Sequence, residues 1–237
     1  MKATSYVLRV LAGLVTLVAV VEARAQETAT TAAAPSTKPA RNFARWEKEI
    51  AAMEAKDKES PPPKGGIVFI GSSTIRGWKT LQEDFPGQPV INRGFGGSEI
   101  VDSTFYADRL IFPHAPTQVF LRAGGNDIHA GKSAEKVFGD FEKFVETVRA
   151  KLPETEIVFI ALAPAPARWD ERDANKALNE KIAAYVKDKP GLKYVDAYDM
   201  TLTPDGQARE ELFVDDKLHF NAEGYKLLAE RVRPFLK

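Results

Sequence analysis

The side chains that could do chemistry in this 237-residue sequence gather in four short polar or glycine-rich segments. They are residues 71–73 (Gly-Ser-Ser), 92–98 (Asn-Arg-Gly-Phe-Gly-Gly-Ser), 123–127 (Ala-Gly-Gly-Asn-Asp) and 215–219 (Asp-Asp-Lys-Leu-His). Together they offer a hydroxyl nucleophile, an imidazole base, a carboxylate that can orient the base, and amide and backbone N–H donors for an oxyanion. This combination can support nucleophilic catalysis at a carbonyl carbon.

The first segment follows a short apolar run, Ile67–Ile70, which predicts a strand buried on both faces. Gly71 and Ser72 end the run abruptly, so we expect the Ser73 hydroxyl at the carboxyl-terminal tip of an early strand. Ligands bind at such tips in open α/β sheets, because strand ends and helix starts meet there with unpaired backbone N–H groups. The alternative is that Ser72 or Ser73 only caps the following helix, since serine is a favoured N-cap residue.

Three histidines, His114, His129 and His219, compete for the role of general base. His114 follows a proline in a loop, which favours a surface role. His129 lies three residues beyond Asn126 and remains a candidate for lining the pocket. His219 has Asp216 three residues earlier in a tight loop, where a carboxylate can fix the imidazole tautomer through Nδ1–H. The alternative for Asp216 is a simple turn or helix-start residue.

Motifs for other chemistries are incomplete. No Gly-x-Ser-x-Gly occurs, which argues against the common α/β-hydrolase nucleophile elbow. Ser133–Lys136 matches Ser-x-x-Lys, but it opens an amphipathic helix without a Lys-Thr-Gly partner, so we predict a helix cap. Gly94–Gly97 lacks the third glycine of a dinucleotide site. Because the chain has no cysteine, no His-x-x-x-His and no acidic cluster, we expect neither a metal nor a cofactor.

The elements that must position these side chains alternate along the chain. Short apolar runs predict strands at residues 67–70, 89–91, 118–121, 156–162 and 192–196. Amphipathic spacing predicts helices at residues 43–56, 133–148, 174–185 and 221–236. Strands that alternate with helices favour an α/β fold with a mainly parallel central sheet, covered on both faces by right-handed crossovers.

In this order the four segments resemble the sequence blocks of the SGNH hydrolase superfamily, also called GDSL-type esterases or acylhydrolases. The resemblance runs from about Gly66 to the C-terminus and is greatest to the platelet-activating-factor acetylhydrolase-like branch and bacterial exported relatives. It implies a three-layer α/β/α sandwich that is flavodoxin-like. It also implies two sets of functional residues: the catalytic Ser73, Asp216 and His219, and the oxyanion donors Ser73, Gly97 and Asn126.

One position departs from the pattern of this superfamily. The usual Gly-Asp-Ser is Gly71-Ser72-Ser73 here, so no carboxylate stands beside the nucleophile. The nucleophile, the base and the oxyanion donors that the resemblance implies are all present. The replacement of Asp by Ser72 therefore bears on the class of substrate more than on the type of reaction.

The first 25 residues predict export to the periplasm or out of the cell. Lys2 and Arg9 precede an apolar run at residues 10–21, and Ala23-Arg24-Ala25 places small residues where a signal peptidase reads them. The run is shorter than the ~20 residues that span a bilayer. We therefore expect a signal peptide that is cleaved after Ala25, and no stable membrane insertion of the mature protein.

Composition also indicates the domain boundaries and the kind of partner. Residues 26–40 are rich in Thr, Ala and Pro and predict a disordered linker, whereas residues 41–237 predict one catalytic domain with an N-terminal helix. Lys and Arg together equal Asp and Glu at 33 each, so no basic excess exists for a nucleic-acid partner. Nothing in the sequence indicates an oligomeric state.

These features predict an exported serine esterase that hydrolyses carboxylic esters through an acyl-enzyme intermediate. Short acyl groups, above all acetyl, on carbohydrate or small-molecule substrates are favoured because no lid or large apolar loop for a long acyl chain is visible. One alternative is a lysophospholipase or thioesterase that uses the same residues. Another is a catalytically inactive glycan-binding module on the same fold.

Overall fold

The structure, a computed structural model, describes residues 41–237. The predicted signal peptide (1–25) and linker (26–40) lie outside the described residues. Within residues 41–237, no helix is both long enough and apolar enough to cross a membrane. The described part opens with a 3-10 turn, Phe43–Trp46, that leads directly into the first helix.

Five parallel, mostly buried strands form the central sheet. In chain order they are β1 (Ile67–Gly71), β2 (Val90–Gly94), β3 (Gln118–Arg122), β4 (Glu156–Ile160) and β5 (Leu192–Val195). The order in the sheet is β2-β1-β3-β4-β5, with Val68 of β1 level with Ile91 of β2 and Val119 of β3. This is the flavodoxin-like order, in which ligands bind at the switch point between β1 and β3. The predicted fold class and parallel sheet are confirmed.

Nine α-helices lie among residues 41–237. They are α1 (Glu47–Glu59), α2 (Ser73–Gly77), α3 (Leu81–Asp84), α4 (Ile100–Phe105), α5 (Ala107–Leu110), α6 (Gly125–His129), α7 (Ala134–Lys151), α8 (Arg172–Val186) and α9 (Ala222–Val232). Further 3-10 turns occur at Phe112–His114, Pro166–Glu171, Asp199–Thr201, Glu210–Leu212 and Arg233–Phe235. Only α1, α7, α8 and α9 exceed two turns, so four long helices do most of the covering of the sheet.

Alternate strand residues face two separate hydrophobic cores, one on each side of the sheet. On β1, Val68 and Ile70 pack with residues of α1, α4, α5, α7 and α8, whereas Ile67 and Phe69 pack with residues of α2, α3 and α9. Phe69 stacks on Phe120 of β3 with ring centroids 4.6 Å apart. All residues of β1, β3 and β4 are buried, because both faces of these strands are covered, and the middle of each strand is a continuous apolar run. The expected three-layer α/β/α sandwich is confirmed.

The long predicted helices are confirmed, although their ends differ by a few residues. Ser133 caps α7 as predicted, because its Oγ accepts the Lys136 N–H at 3.2 Å. The predicted C-terminal helix ends at Val232 rather than at residue 236 and continues as a 3-10 turn. Pro234 contributes to the difference, because proline has no N–H to donate to the carbonyl four residues earlier in an α-helix.

Two of the four polar or glycine-rich segments lie partly in regular structure. Asn92, Arg93 and Gly94 form the end of β2, because their backbone pairs in parallel with residues 69–71 of β1. The segment 123–127 runs into α6, so its polar residues lie on a short helix rather than on an open loop.

His114 is buried, so the predicted surface role is wrong. Its side chain packs at the end of a 3-10 turn, and its Nε2 lies 3.2 Å from Nε of Arg93. The Arg93 guanidinium in turn donates to both carboxylate oxygens of Asp57 on α1, at 2.6 and 2.7 Å. This ion pair gives the imidazole polar neighbours inside the protein. Burial lowers the pKa of His114, and the charge of Arg93 adds to that effect.

Candidate active site

Ser73 begins α2 directly after β1, at the switch point of the sheet. Gly71 makes this turn possible, because its φ is 143° and a Cβ there would overlap the backbone carbonyl of Arg122. Ser72 occupies the N-cap position, but its hydroxyl makes no capping hydrogen bond. Ser73 is the first helical residue, so its N–H has no intrahelical acceptor. Neither serine side chain caps the helix, which removes the alternative of a purely structural role.

Ser73, His219 and Asp216 form one continuous chain of hydrogen bonds. The Ser73 Oγ lies 2.9 Å from Nε2 of His219, and Nδ1 of the same ring lies 2.6 Å from Oδ2 of Asp216. Oδ1 of Asp216 accepts the backbone N–H groups of Leu218 and His219, each at 2.9 Å. The contact with His219 and these N–H groups lower the pKa of Asp216 to about 2. An ionised carboxylate only accepts, so Nδ1 carries the proton and Nε2 can accept the proton of Ser73.

A tight loop at residues 213–220 holds the histidine in place. Its two ends pair as an antiparallel bridge between Phe213 and Phe220, whose ring centroids are 5.3 Å apart. Inside the loop, the Val214 N–H donates to the His219 carbonyl at 2.9 Å. Both phenylalanines are buried, so packing as well as backbone bonding fixes the direction of the imidazole.

Asn126 lies in the first turn of α6 and lines the same hollow as Ser73. Its Nδ2 donates to the Ser98 carbonyl at 3.0 Å, and its Oδ1 accepts Nη1 of Arg168 at 3.0 Å. These two bonds orient the side-chain amide. An NH₂ group has two hydrogens, so one hydrogen of Nδ2 is left for a ligand.

Gly97 lies in an exposed turn after β2, with a φ of 71°. The turn is tied to the site by the next residue, Ser98, whose carbonyl holds the amide of Asn126. The Gly97 N–H finds no acceptor among residues 41–237, but Gly97 itself is not part of the wall of the hollow beside Ser73. The structure thus brings Ser73, His219, Asp216 and Asn126 together, whereas Gly97 is linked to them through its neighbour. The oxyanion roles stay predictions.

Two hollows adjoin Ser73. The smaller has a volume of about 70 Å³, and its wall combines apolar Leu162, Ala163 and Ala165 with polar Arg122, Arg168 and Glu171. The larger is an open cleft of about 490 Å³ whose wall includes Glu49, Arg76, Lys79 and His219. Across the described part of the chain, no group of three or more His, Cys, Asp or Glu side chains is placed to hold a metal ion.

His129 is engaged away from the nucleophile. Its Nδ1 lies 2.5 Å from Oε1 of Glu171, and more than half of its side chain is exposed. The imidazole that contacts the Ser73 hydroxyl is that of His219. The geometry therefore favours His219 over His129 as the base.

Sequence patterns do not single out four polar residues of the smaller hollow, namely Arg122, Arg168, Glu171 and Asn175. For Arg122, the sequence offers one indication, which is its position next to one of the four polar or glycine-rich segments. Arg122 directly precedes the segment 123–127, which places it at the tip of β3 beside the switch point. The other three lie on the 3-10 turn and helix that follow β4, where charge and polarity are ordinary surface features.

Comparison with known proteins identifies the family of this chain. Residues 69–227, which include all three residues of the hydrogen-bonded chain, match the model of the GDSL-like lipase/acylhydrolase family. The chain belongs to this family. Membership makes it an SGNH-superfamily hydrolase that acts on esters, as the sequence predicts.

Relatives of this GDSL-like acylhydrolase have both animal and microbial sources. Platelet-activating factor acetylhydrolase IB subunit alpha1 of Bos taurus is 25% identical over 177 residues, which cover 73% of each chain. A GDSL-like lipase from Bacteroides thetaiotaomicron superposes with a TM-score of 0.65 at 23% identity, over 82% of this chain and 96% of that one. A carbohydrate esterase family 3 protein from Talaromyces cellulolyticus gives 0.57 at 16% identity, over 71% and 94%. The two structures show that the fold is shared.

Proposed function

We propose that this acylhydrolase is an exported serine esterase that removes short acyl groups, above all acetyl, from carbohydrate or small-molecule substrates through an acyl-enzyme intermediate. The observation that carries the proposal is the hydrogen-bonded chain from Ser73 through His219 to Asp216. A serine is a weak nucleophile until a neighbouring base can take its proton, and here the base is itself oriented by a carboxylate. Ser72, which replaces the usual Asp, takes no part in this chain.

In the proposed reaction, Ser73 Oγ attacks the ester carbonyl carbon while its proton passes to Nε2 of His219. The negative carbonyl oxygen of the tetrahedral intermediate accepts from Nδ2 of Asn126 and from the N–H groups of Ser73 and Gly97. When the intermediate collapses, the bond to the alcohol oxygen breaks and that oxygen takes the proton from His219. Water then attacks the acyl carbonyl carbon and gives a proton to His219. When this second intermediate collapses, the bond to Ser73 Oγ breaks, Oγ takes the proton back from His219, and the acid is released. Asp216 stays ionised throughout and stabilises the imidazolium.

The sizes of the two hollows support a short acyl group. A cavity of about 150 Å³ holds a benzene molecule, and the smaller hollow beside Ser73 has less than half of that volume, about 70 Å³. The open cleft of about 490 Å³ leaves room for a larger alcohol part. The name of the bovine relative, an acetylhydrolase, agrees with an acetyl group.

The chemistry of the wall supports a substrate that carries hydroxyl groups. Oε2 of Glu171 and Oδ1 of Asn175 are buried beside the smaller hollow and have no hydrogen-bond partner among the described residues. Buried acceptors are rarely left unsatisfied in proteins. A sugar in the adjoining cleft, which shares Ser73 with the hollow, can supply hydroxyl donors to these oxygens through ordered water, and this favours carbohydrate esters among the possible substrates.

Export belongs to the proposal and is supported by residues 1–25. We expect the mature protein to begin at Gln26, because Ala23 and Ala25 occupy the small-residue positions that a signal peptidase reads. The intact mass of protein recovered from the cell envelope and the medium shows at which residue the mature protein begins. A protein that keeps Met1 and partitions with membranes would favour an anchor.

A panel of esters tests the proposed activity. Acetyl, butyryl and octanoyl p-nitrophenyl esters and acetylated sugars are assayed with the wild type, Ser73→Ala and Ser72→Ala. We expect the highest kcat/KM with acetyl, acetate release from the sugars, a loss of several orders of magnitude in Ser73→Ala, and most activity retained in Ser72→Ala. A preference for octanoyl would favour a lysophospholipase or thioesterase. Sugar binding without hydrolysis of any ester would favour the inactive binding module.

A further inference from the structure

Arg122 is a buried cation in the wall of the smaller hollow that the proposed reaction does not use. It is the last residue of β3, is 7% exposed, and shares the wall with Ser73 and Asn126. Burial lowers the pKa of Arg122 to about 10, so the guanidinium still carries its charge at neutral pH. A permanent positive charge therefore stands next to the nucleophile.

No carboxylate of the described chain balances this charge. Among residues 41–237, no Asp or Glu oxygen lies within the ion-pair distance of 4.0 Å from the Arg122 guanidinium. Nη1 donates to Oγ1 of Thr74 at 2.6 Å, and the guanidinium carbon lies 5.4 Å from the centre of the Phe220 ring. Nε is buried and has no hydrogen-bond partner among the described residues. A hydroxyl and an aromatic face orient the guanidinium but do not neutralise it.

Arg93 is a second buried arginine of this fold, and unlike Arg122 it forms an ion pair within the described chain. It lies on β2, is also 7% exposed, and donates to both carboxylate oxygens of Asp57. Buried charges are normally paired in this way, because removing a charge from water is costly. Arg122 has the burial of a structural arginine but lacks the partner, so its partner is expected to come from a ligand.

A second guanidinium lies on the same wall. Nη1 of Arg168 donates to Oδ1 of Asn126 at 3.0 Å, and Arg168 forms no ion pair within residues 41–237. The acidic residue of the wall, Glu171, has Oε1 2.5 Å from Nδ1 of His129, while its buried Oε2 has no hydrogen-bond partner among residues 41–237. The wall thus presents two guanidinium groups that have no ion-pair partner in the described chain and one carboxylate, whose Oε1 is taken up by His129.

We propose that the smaller hollow binds a carboxylate carried by the ester substrate, with Arg122 as the main ligand and Arg168 as the second. This inference rests on the proposed esterase function and narrows its substrates to anionic esters. A guanidinium has five N–H donors, and with Nε buried and one hydrogen of Nη1 donated to Thr74, Nη2 and the second hydrogen of Nη1 are the donors left for a carboxylate. The carboxylate belongs either to the acyl part of the ester or to its alcohol part.

Two matched pairs of esters separate these sources. In the acyl arm, p-nitrophenyl hydrogen glutarate is compared with neutral p-nitrophenyl valerate. In the alcohol arm, 4-acetoxybenzoate is compared with its methyl ester. Each kcat/KM is divided by the rate of the same ester with hydroxide, which removes intrinsic reactivity. We expect the wild type to prefer the anionic ester in one arm by about 10- to 100-fold, the range of a hydrogen bond to a charged group.

Variants of Arg122 test whether its guanidinium causes the preference for the anionic ester. Arg122→Gln is expected to abolish it, chiefly by raising KM for the anionic ester, while Arg122→Lys keeps part of it because the charge remains. Arg231→Gln is the matched control, since it removes the same charge from an exposed position on α9. This control should leave the preference at its wild-type value.

Each outcome decides for or against the carboxylate site. A wild type without preference in either arm overturns it, and this measurement needs no folded variant. Equal losses of kcat on all four esters in Arg122→Gln also overturn it, since they would make Arg122 a positioning residue that acts through Thr74. A protein that hydrolyses none of the four esters would overturn the proposed function itself.

Discussion

At the scale of single residues, the site depends on side chains that are held from two directions. One carboxylate oxygen of Asp216 accepts a backbone N–H of its own loop and the other contacts Nδ1 of His219, so the carboxylate holds the imidazole in place. The amide of Asn126 is fixed at its oxygen by Arg168 and at its nitrogen by Ser98. Donors that are oriented in advance need no reorganisation when charge develops in the transition state.

Replacement of Asn126 tests its predicted oxyanion role. Asn126→Ala is expected to lower kcat by about 10²- to 10³-fold with little change in KM, because the amide would act on the transition state and not on the bound ester. Steady-state kinetics on an acetyl ester measure both constants. A higher KM with an unchanged kcat would make Asn126 a binding residue and remove it from the oxyanion hole.

Residue-scale contacts differ in how far the sequence predicts them. The pair of Asp216 and His219 could be predicted because three residues separate them in one tight loop. The contact of His219 with Ser73 spans 146 positions, so only the resemblance to a family implied it. The burial of Arg122 and His114 could not be predicted, since the partners that surround a polar side chain inside a fold are set by tertiary packing.

At the scale of elements, the turn from β1 to α2 positions Ser73, the proposed nucleophile. Gly71 packs its backbone against Arg122 of β3, and its carbonyl accepts the Phe95 N–H at 2.9 Å. Both contacts tie the start of α2 to the neighbouring strands. The short helix therefore has little freedom to move Ser73 relative to Asn126 at the tip of β3.

The same substitution at two glycines should change stability in opposite directions. Gly71→Ala is expected to cost about 1–3 kcal/mol, because the φ of 143° is strained for alanine and the new Cβ would overlap the Arg122 carbonyl. Gly139→Ala, inside α7 with open space around the added Cβ, should gain about 0.5–1 kcal/mol. Urea unfolding measures both. A neutral Gly71→Ala would show that the turn can relax.

How well an element can be predicted depends on how many residues carry its apolar repeat. Helices α7, α8 and α9 repeat their apolar positions over three turns or more and could be predicted from spacing alone. Helices α2 to α6 have four to six residues each, which is too short for a period of 3.6 to be recognised. Strand β2 was predicted too short because Asn92, Arg93 and Gly94 are not apolar, although pairing with β1 keeps them in the sheet.

At the scale of the whole molecule, a buried polar cluster joins the N-terminal helix to the sheet. Asp57 on α1, Arg93 on β2 and His114 on the turn after α5 contact one another, with Arg93 and His114 buried and Asp57 partly exposed. None of the three shares a hydrogen bond or an ion pair with Ser73, His219 or Asp216. We therefore expect the cluster to act on folding stability.

The cluster predicts how stability depends on pH. Burial lowers the pKa of His114, so below the unfolded value of about 6.5 the unfolded chain binds the proton more readily than the folded one. The free energy of unfolding should therefore fall as pH drops through 6.5 and level off below the folded pKa. In urea unfolding at pH 7.5 and 5.0, His114→Gln should lose less stability than the wild type. Equal losses in both proteins would contradict this role.

The proposed mechanism requires Ser73 as the nucleophile and His219 as the base that activates it. Reaction with a fluorophosphonate probe, followed by peptide mass mapping, identifies the reactive serine. We expect an adduct on Ser73, greatly slowed labelling in His219→Ala, and labelling at the wild-type rate in His129→Ala. An adduct on Ser72, no labelled serine, or labelling that depends on His129 would contradict this mechanism.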